Sequence, residues 1–184
     1  MEVLDALQSR RSYRNFDPNY VIPKEEVKKI IDLALQSPTG CNLQGIDLLV
    51  ITDRKKIDEA SKILYDSWDE DFQKKLDTRK QDGCTNVVTC DASCLIIMVS
   101  NERAQEQFQK IDAGIMCMSI MSSARAFNLD SLCLGCFLAG DKKGVEQYFG
   151  IGEGKLTMAI CIGKSKDRSK VPPKDQLCKA TYIE

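Results

Sequence analysis

Four stretches of this chain have the residue make-up of β-strands: IDLLVIT at 46 to 52, CLIIMVS at 94 to 100, SLCLGCF at 131 to 137 and LTMAICIG at 156 to 163. Three of them are apolar on both faces, where a half-exposed strand would alternate. Such strands belong inside a sheet covered on both sides, so a layered α/β or α+β structure is expected. Helical patterns run over Met1 to Gln8, 23 to 36 (PKEEVKKIIDLALQ), Asp53 to Leu64, Gln105 to Phe127 and Asp141 to Phe149. In the longest, Ile111, Ile115, Met118 and Met121 recur at helical spacing. Ala113, Gly114, Cys117 and Ile120 widen that stripe nearly all round, so this helix needs cover on several sides. Residues 66 to 90 are polar and irregular after Trp68 and read either as a partly helical excursion or as a lid. The stretch KSKDRSKVPPKDQL, basic and proline-bearing, is expected to run extended over the surface.

The 184 residues are read as one domain, 1–184, able to remove roughly two thirds of its unfolded surface from water without a disulfide or structural metal. The uncharged, mostly apolar run Ala113 to Ala124 is shorter than the ~20 residues of a membrane-spanning helix, so no membrane association is expected. With 26 basic and 27 acidic residues, no broad nucleic-acid-binding face is expected either, and partners should be small molecules. The chain has no histidine, which excludes Ser-His-Asp and Cys-His nucleophiles and any imidazole acid or base. Nine cysteines, odd in number, irregularly spaced and preceded by no apolar signal segment, suggest a reduced, cytoplasmic protein. Cys94, Cys117 and Cys161 lie in apolar runs and read as core residues. Cys133-x-x-Cys136 is the only C-x-x-C pair, Cys84, Cys90 and Cys94 follow neither familiar ferredoxin spacing, and no metal site is expected. A cysteine-rich metal-binding or thiol redox protein, with a reversible Cys133–Cys136 disulfide, is the alternative from a different class.

Three constellations could carry chemistry. In SRRSYRNF an extended backbone would send Arg10, Ser12 and Arg14 to one side, suiting a phosphate ester; a solvated basic turn is the competing reading. In SPTGCNLQG, Thr39, Asn42 and Gln44 offer polar side chains and Gly40 a bare backbone, able to read a planar heteroaromatic ring or simply to make a turn. In LDSLCLGCF, Gly135 interrupts an apolar run and indicates either close backbone approach or a bulge.

Taken in order, these pieces resemble the FMN-dependent nitroreductase family. RRSYRNF is similar to its R-x-S-x-[RK]-x-F segment, SPTGCNLQ to its P-S-S-x-N-x-Q loop, and DASCLIIMV to its Asp-Ala-x strand entry. The helix IDAGIMCMSIMSSARAFNLDS resembles the long alanine- and glycine-bearing helix leading into L-G-L-x-S, and MAICIGK its closing strand. The resemblance runs from about Val3 to Leu177. It implies an α+β fold, a mainly antiparallel central sheet flanked by helices, and an intertwined homodimer with FMN at the subunit interface.

On that resemblance Arg10 and Ser12 hold the phosphate, Arg11 lies beside them, and Arg14 approaches the N1/O2 edge of the flavin, where a fixed cation stabilises the charge left by reduction. Pro38, Thr39, Gly40, Asn42 and Gln44 contact the ring and ribityl chain, partly from the partner subunit. Leu134 and Gly135 meet the flavin near N5, and Lys174, with Lys170 as a helper, binds phosphate. The flavin carries the chemistry, so no catalytic side chain is assigned. The implied activity takes hydride from NAD(P)H and passes electrons to nitroaromatic or quinone-type acceptors by a ping-pong mechanism; the alternative on the same fold is a reductive dehalogenase, a flavin-cleaving enzyme or a flavin-binding protein. Departures from the pattern are Gly40 for a common serine, Gly45-Ile46 for Pro-Trp, Cys136 for a glycine, and Asn86 as only an approximate match to a basic ring-binding residue.

Overall fold

The computed structural model of the chain describes residues 2–183; Met1, where the first expected helix begins, and Glu184 lie outside them. Four antiparallel strands, β1 (Ile46–Ile51), β2 (Cys94–Ser100), β3 (Asp130–Cys133) and β4 (Leu156–Gly163), form a sheet of order β1-β2-β4-β3. The central pair is buried on both faces. Leu95, Ile97, Ala159 and Cys161 pack with Ile57 and Leu64 of α3 (Arg54–Ser67) and Val145 of α6 (Lys142–Phe149). Cys94, Ile96, Met98, Ile160 and Ile162 pack with Val27, Ile30 and Ala34 of α2 (Lys24–Ala34) and with Ala113, Met116 and Ile120 of α5 (Glu106–Ala126). The α+β layering thus follows from two strands with no polar face.

Register shows one irregularity. Met98 faces Met158, but Val99 faces Leu156, so Thr157 is an extra residue on β4. Simple alternation would put Leu156 on the side of Met158; the bulge instead turns it into the α3 and α6 layer, where it is fully buried.

The third strand is shorter than its apolar run. Its ladder stops at Cys133, and Leu134, although its N–H still reaches the Ala159 carbonyl at 2.9 Å, leaves extended geometry (φ −105, ψ 71) for a 3-10 turn over Gly135–Leu138. β3 is an edge strand with a single ladder neighbour, and composition does not show where an edge strand departs. The turn has a consequence for the thiols: Cys133 packs on the α2 and α5 side, Cys136 on the α3 and α6 side.

Residues 66 to 90 form a packed excursion rather than a lid. α3 continues to Ser67, Asp69 caps α4 (Glu70–Asp77) by accepting from the Phe72 N–H at 2.8 Å, and a 3-10 turn covers Thr78–Asp82. Beyond it, the Asp91 carboxylate accepts from the Thr85 and Asn86 N–H groups at 2.9 and 2.7 Å, and Cys84, Val87 and Val88 are buried. Cys84 and Cys90 lie in this layer, whereas Cys94 points to the opposite one, so these three thiols do not converge.

α5 is covered less completely than its composition suggests. α1 (Val3–Ser9) and α2 pack on it, yet Ile111 remains 59% exposed, Ile115 and Met118 are also exposed, and so are Val3 and Leu4 of α1 and Leu33 of α2. Among the described residues no helix is long and apolar enough to cross a membrane. Residues 171 to 183 adopt neither helix nor strand, and Leu177 and Ile183 are exposed.

One buried carboxylate ties the β3 edge together. Asp130 accepts from Arg125 Nη1 at 3.3 Å, from Arg168 Nε at 3.0 Å and from the Ser165 N–H at 3.0 Å, joining α5, β3 and the segment after β4. Removing one member of a buried ion pair leaves the others uncompensated. Asp130→Asn is expected to lower stability by about 3 kcal/mol, measured as a lower urea midpoint at unchanged slope.

Candidate functional site

After α1 the chain runs extended along the β3 edge. Arg10 ends the helix at φ −61, ψ 129, Ser12 bridges Ser131 in parallel, and the Tyr13 N–H donates to the Ser131 carbonyl at 3.2 Å. Alternation sorts the side chains: Tyr13 and Asn15 are buried, Arg10 and Ser12 are partly exposed, and Arg14 is exposed. Arg10 Nη1 lies 3.9 Å from Met121 Sδ. Arg11, of opposite parity, closes the end of α1, its Nη1 donating to the Gln8 and Arg10 carbonyls at 2.8 Å each. Arg14 Nη1 reaches the Ser12 carbonyl at 3.5 Å.

Leu134 and Gly135 stand at the end of the same edge. Leu134 is buried, whereas Gly135 is exposed and a Cβ built there meets nothing within 4 Å. The glycine is therefore not required by this chain's own packing. The neighbouring Cys136 thiol turns inward, and burial pushes it up to about 11, so it remains a protonated packing group. Arg79, from the excursion, is a cation that sequence reading did not single out: its Nη1 donates to Cys90 Sγ at 3.6 Å, and its charge is felt at Cys136. Asn86 is committed elsewhere, donating to Asp58 Oδ1 at 2.7 Å and Ser61 Oγ at 3.0 Å while its own oxygen accepts from the Val88 and Thr89 N–H groups. It anchors the loop.

The Pro38–Gln44 loop lies at the opposite edge, leading into β1. Cys41, Asn42 and Gln44 hold left-handed φ values of 50, 53 and 52. Outside glycine and asparagine such a conformation costs roughly 1–2 kcal/mol per residue, so the surroundings must enforce it. They do so through polar contacts. Asp112, buried on α5, accepts from the Gly40 N–H at 3.0 Å; Thr39 Oγ1 accepts from the Gln44 N–H at 3.0 Å; Arg103 donates to the Leu43 and Gln44 carbonyls at 3.1 Å each; and Asn101 Nδ2 donates to Gln44 O at 3.0 Å. Gln44 Nε2 reaches Asn42 Oδ1 at 3.3 Å, and both side chains stay exposed. The two glycines have local reasons: a Cβ on Gly40 would enter the Phe108 ring, and one on Gly45 would lie 2.6 Å from Ala104 Cα. Asp112, Phe108, Asn101 and Arg103 were passed over in the sequence. Only Asp112, a charge inside an apolar helical stripe, carried a visible signal.

Thus Arg10, Ser12, Arg14, Leu134 and Gly135 share one sheet edge, whereas Pro38 to Gln44 hold the other. Their anchors on α5, Met121 and Asp112, are nine residues apart, or about 14 Å of helical rise. Lys170 pairs with Asp82 at 3.5 Å, and Lys174 is exposed on the terminal stretch. A cleft of about 540 Å³ between α3 and the excursion, lined by Arg54, Asp58, Tyr65, Lys80 and Asn86, is separate from both sets.

Comparison with known proteins adds the following. The family model described as Nitroreductase family matches residues 7–164. A CLA biosynthesis enone reductase of Lactiplantibacillus plantarum is 26% identical over 189 residues, covering 89% of this chain and 86% of that protein. A nitroreductase with bound FMN from Desulfitobacterium hafniense superposes with a TM-score of 0.78 over the whole of both chains at 21% identity. The FMN-dependent nitroreductase NfnB of Mycobacterium smegmatis, solved with NADPH, gives 0.75 over 97% of each chain at 18% identity.

The contact between Gly40 and Phe108 can be tested directly. Gly40→Ala is expected to destabilise the protein by about 1–3 kcal/mol through overpacking. Adding Phe108→Ala should recover part of that loss, giving a favourable coupling in a double-mutant cycle of denaturation midpoints.

Proposed function

Because the chain belongs to the nitroreductase family, we propose that it is an FMN-dependent oxidoreductase, the bound flavin accepting hydride from NAD(P)H at N5 and passing electrons to a nitroaromatic or quinone-type acceptor in a ping-pong sequence. The observation that carries this reading is the pairing of a basic extended segment with an unhindered glycine at one sheet edge, and a strained polar loop at the other.

The residues fit such a group. Arg10 and Ser12 bind the phosphate, the guanidinium offering two parallel donors and the hydroxyl a rotatable one, with Arg11 supporting from the end of α1. Arg14 places a permanent cation by the N1/O2 edge of the ring, which in a partly dry site favours negative charge there. Leu134 and Gly135 present backbone to the N5 region, and the bare Cα of Gly135 permits close approach. Lys174, with Lys170 assisting, adds positive charge at the phosphate end. Pro38, Thr39, Gly40, Asn42 and Gln44 frame the ring and ribityl chain. A proton taken from water is consistent with a chain that has no histidine.

One copy carries the two sets on opposite edges, so a complete site needs a second copy, and we read the protein as a homodimer with its flavins at the interface. The exposed Val3, Leu4, Leu33, Ile111, Ile115 and Met118 support that reading, because they supply apolar surface to bury. The enzyme is read as cytoplasmic.

Arg10→Ala is expected to weaken FMN binding by roughly 10- to 100-fold, the worth of hydrogen bonds to a charged group, in a fluorescence-quenching titration. The protein should purify yellow and sediment at about twice 20.6 kDa. An unchanged affinity, or a colourless protein that takes up no FMN, would refute the assignment.

A further inference from the structure

The C-x-x-C spacing points to Cys133 and Cys136 as partners, but the fold gives Cys133 a different one. Cys117 on α5 faces the end of β3, and the Cys117 and Cys133 sulfurs are 3.1 Å apart. Met121, one helical turn beyond Cys117, sets its Sδ 3.6 Å from Cys133 Sγ, and Arg10 Nη1 is 3.9 Å from that Sδ. Two thiols, a thioether and a guanidinium thus meet where α5 crosses the β3 edge. Cys133 is partly exposed, while Cys117 is buried beneath it.

We propose that Cys133 and Cys117 form an oxidisable pair, Cys133 reacting with hydrogen peroxide and Cys117 resolving the product to an intramolecular disulfide. In the first step the Cys133 thiolate attacks one peroxide oxygen. The S–O bond forms, the O–O bond breaks, and the departing hydroxide takes up the proton lost by the thiol, leaving a sulfenic acid and water. Cys117 sulfur then attacks Cys133 sulfur: the S–S bond forms, the S–O bond breaks, and the Cys117 proton leaves with the hydroxide as a second water. Two thiols lose two electrons in total, and one peroxide gains them. The sulfurs need close only about 1 Å to reach disulfide length, a movement within the range of side-chain torsions.

Electrostatics separates this pair from the other thiols. The hydrogen bond from Cys117 and the charge of Arg10 bring Cys133 down to about 7 against the opposing effect of burial, while Cys117 is pushed up by that same bond. Burial holds Cys94 up at about 12. Cys90 is also lowered, by its bond from Cys84 and by Arg79 and Arg14, but it is 0% exposed and peroxide has no route to it. The pair shares Arg10 with the proposed phosphate site, but the Cys117–Cys133 contact itself involves no cofactor, so the test reads the thiols whether or not flavin is bound.

The test treats the purified full-length protein with one to a few equivalents of hydrogen peroxide, blocks residual thiols and maps tryptic peptides without reduction. Cys117 falls in peptide 111–125, and Cys133, with Cys136, in 126–142. The expected result is a cross-link between these two peptides within a single chain, about 2 Da below the sum of the free peptides, with fragment ions placing it on Cys133. Cys136→Ser should retain the link. Cys117→Ser should abolish it and leave a Cys133 sulfenic acid that dimedone captures. In the unaltered protein, alkylation of Cys133 by iodoacetamide should be half-maximal near pH 7. Full recovery of free thiols after peroxide, a Cys133–Cys136 or Cys84–Cys90 link in its place, or alkylation of Cys133 that rises only above pH 9 would each overturn the proposal.

Discussion

The β2–β4 pair, with no polar side on either face, is the constraint on which the rest of the molecule depends. Burying both faces demands a helical layer above and below, supplied by α2 and α5 on one side and by α3, α6 and the 66–90 excursion on the other. Once both faces are covered, the polar segments can reach the core only along the sheet's edges. The basic stretch after α1 takes the β3 edge and the Pro38–Gln44 loop runs into the β1 edge. The separation of the two polar sets is a consequence of how the core is closed.

Each edge is then secured by charged and polar contacts in addition to apolar packing. Asp130 gathers Arg125, Arg168 and the Ser165 amide around the start of β3, and Asp112, Asn101 and Arg103 clamp the loop at β1. These contacts fix backbone that would otherwise relax. Three non-glycine residues in the left-handed region within four positions show how much the loop's shape is imposed on it.

Strand and helix patterns were legible in the sequence because they reflect local periodicity, which a buried sheet amplifies. What was not legible depends on contacts between distant segments. The apolar run through Phe137 does not disclose that the chain leaves the ladder at Cys133, because Leu134 is equally suited to strand and turn. Nothing around Thr157 announces the bulge that re-aims Leu156. Of the candidate site, the residue types at 10 to 14 and 38 to 44 were readable, whereas Phe108 filling the space at Gly40 and Arg79 reaching Cys90 depend on side chains meeting from remote elements. The thiols teach the same lesson: the turn at Gly135 sends Cys133 and Cys136 to different layers, so the C-x-x-C spacing divides them.

The two-edged arrangement ties occupancy to mass action. On the proposed reading each flavin cradle is assembled from two chains, so cofactor retention and self-association are linked equilibria, each strengthening the other. Diluting the protein below its dimer dissociation constant would shed flavin even with every binding side chain intact, and abundant flavin would hold together pairs that otherwise separate. For such a molecule, apparent affinity has meaning only at a stated protein concentration.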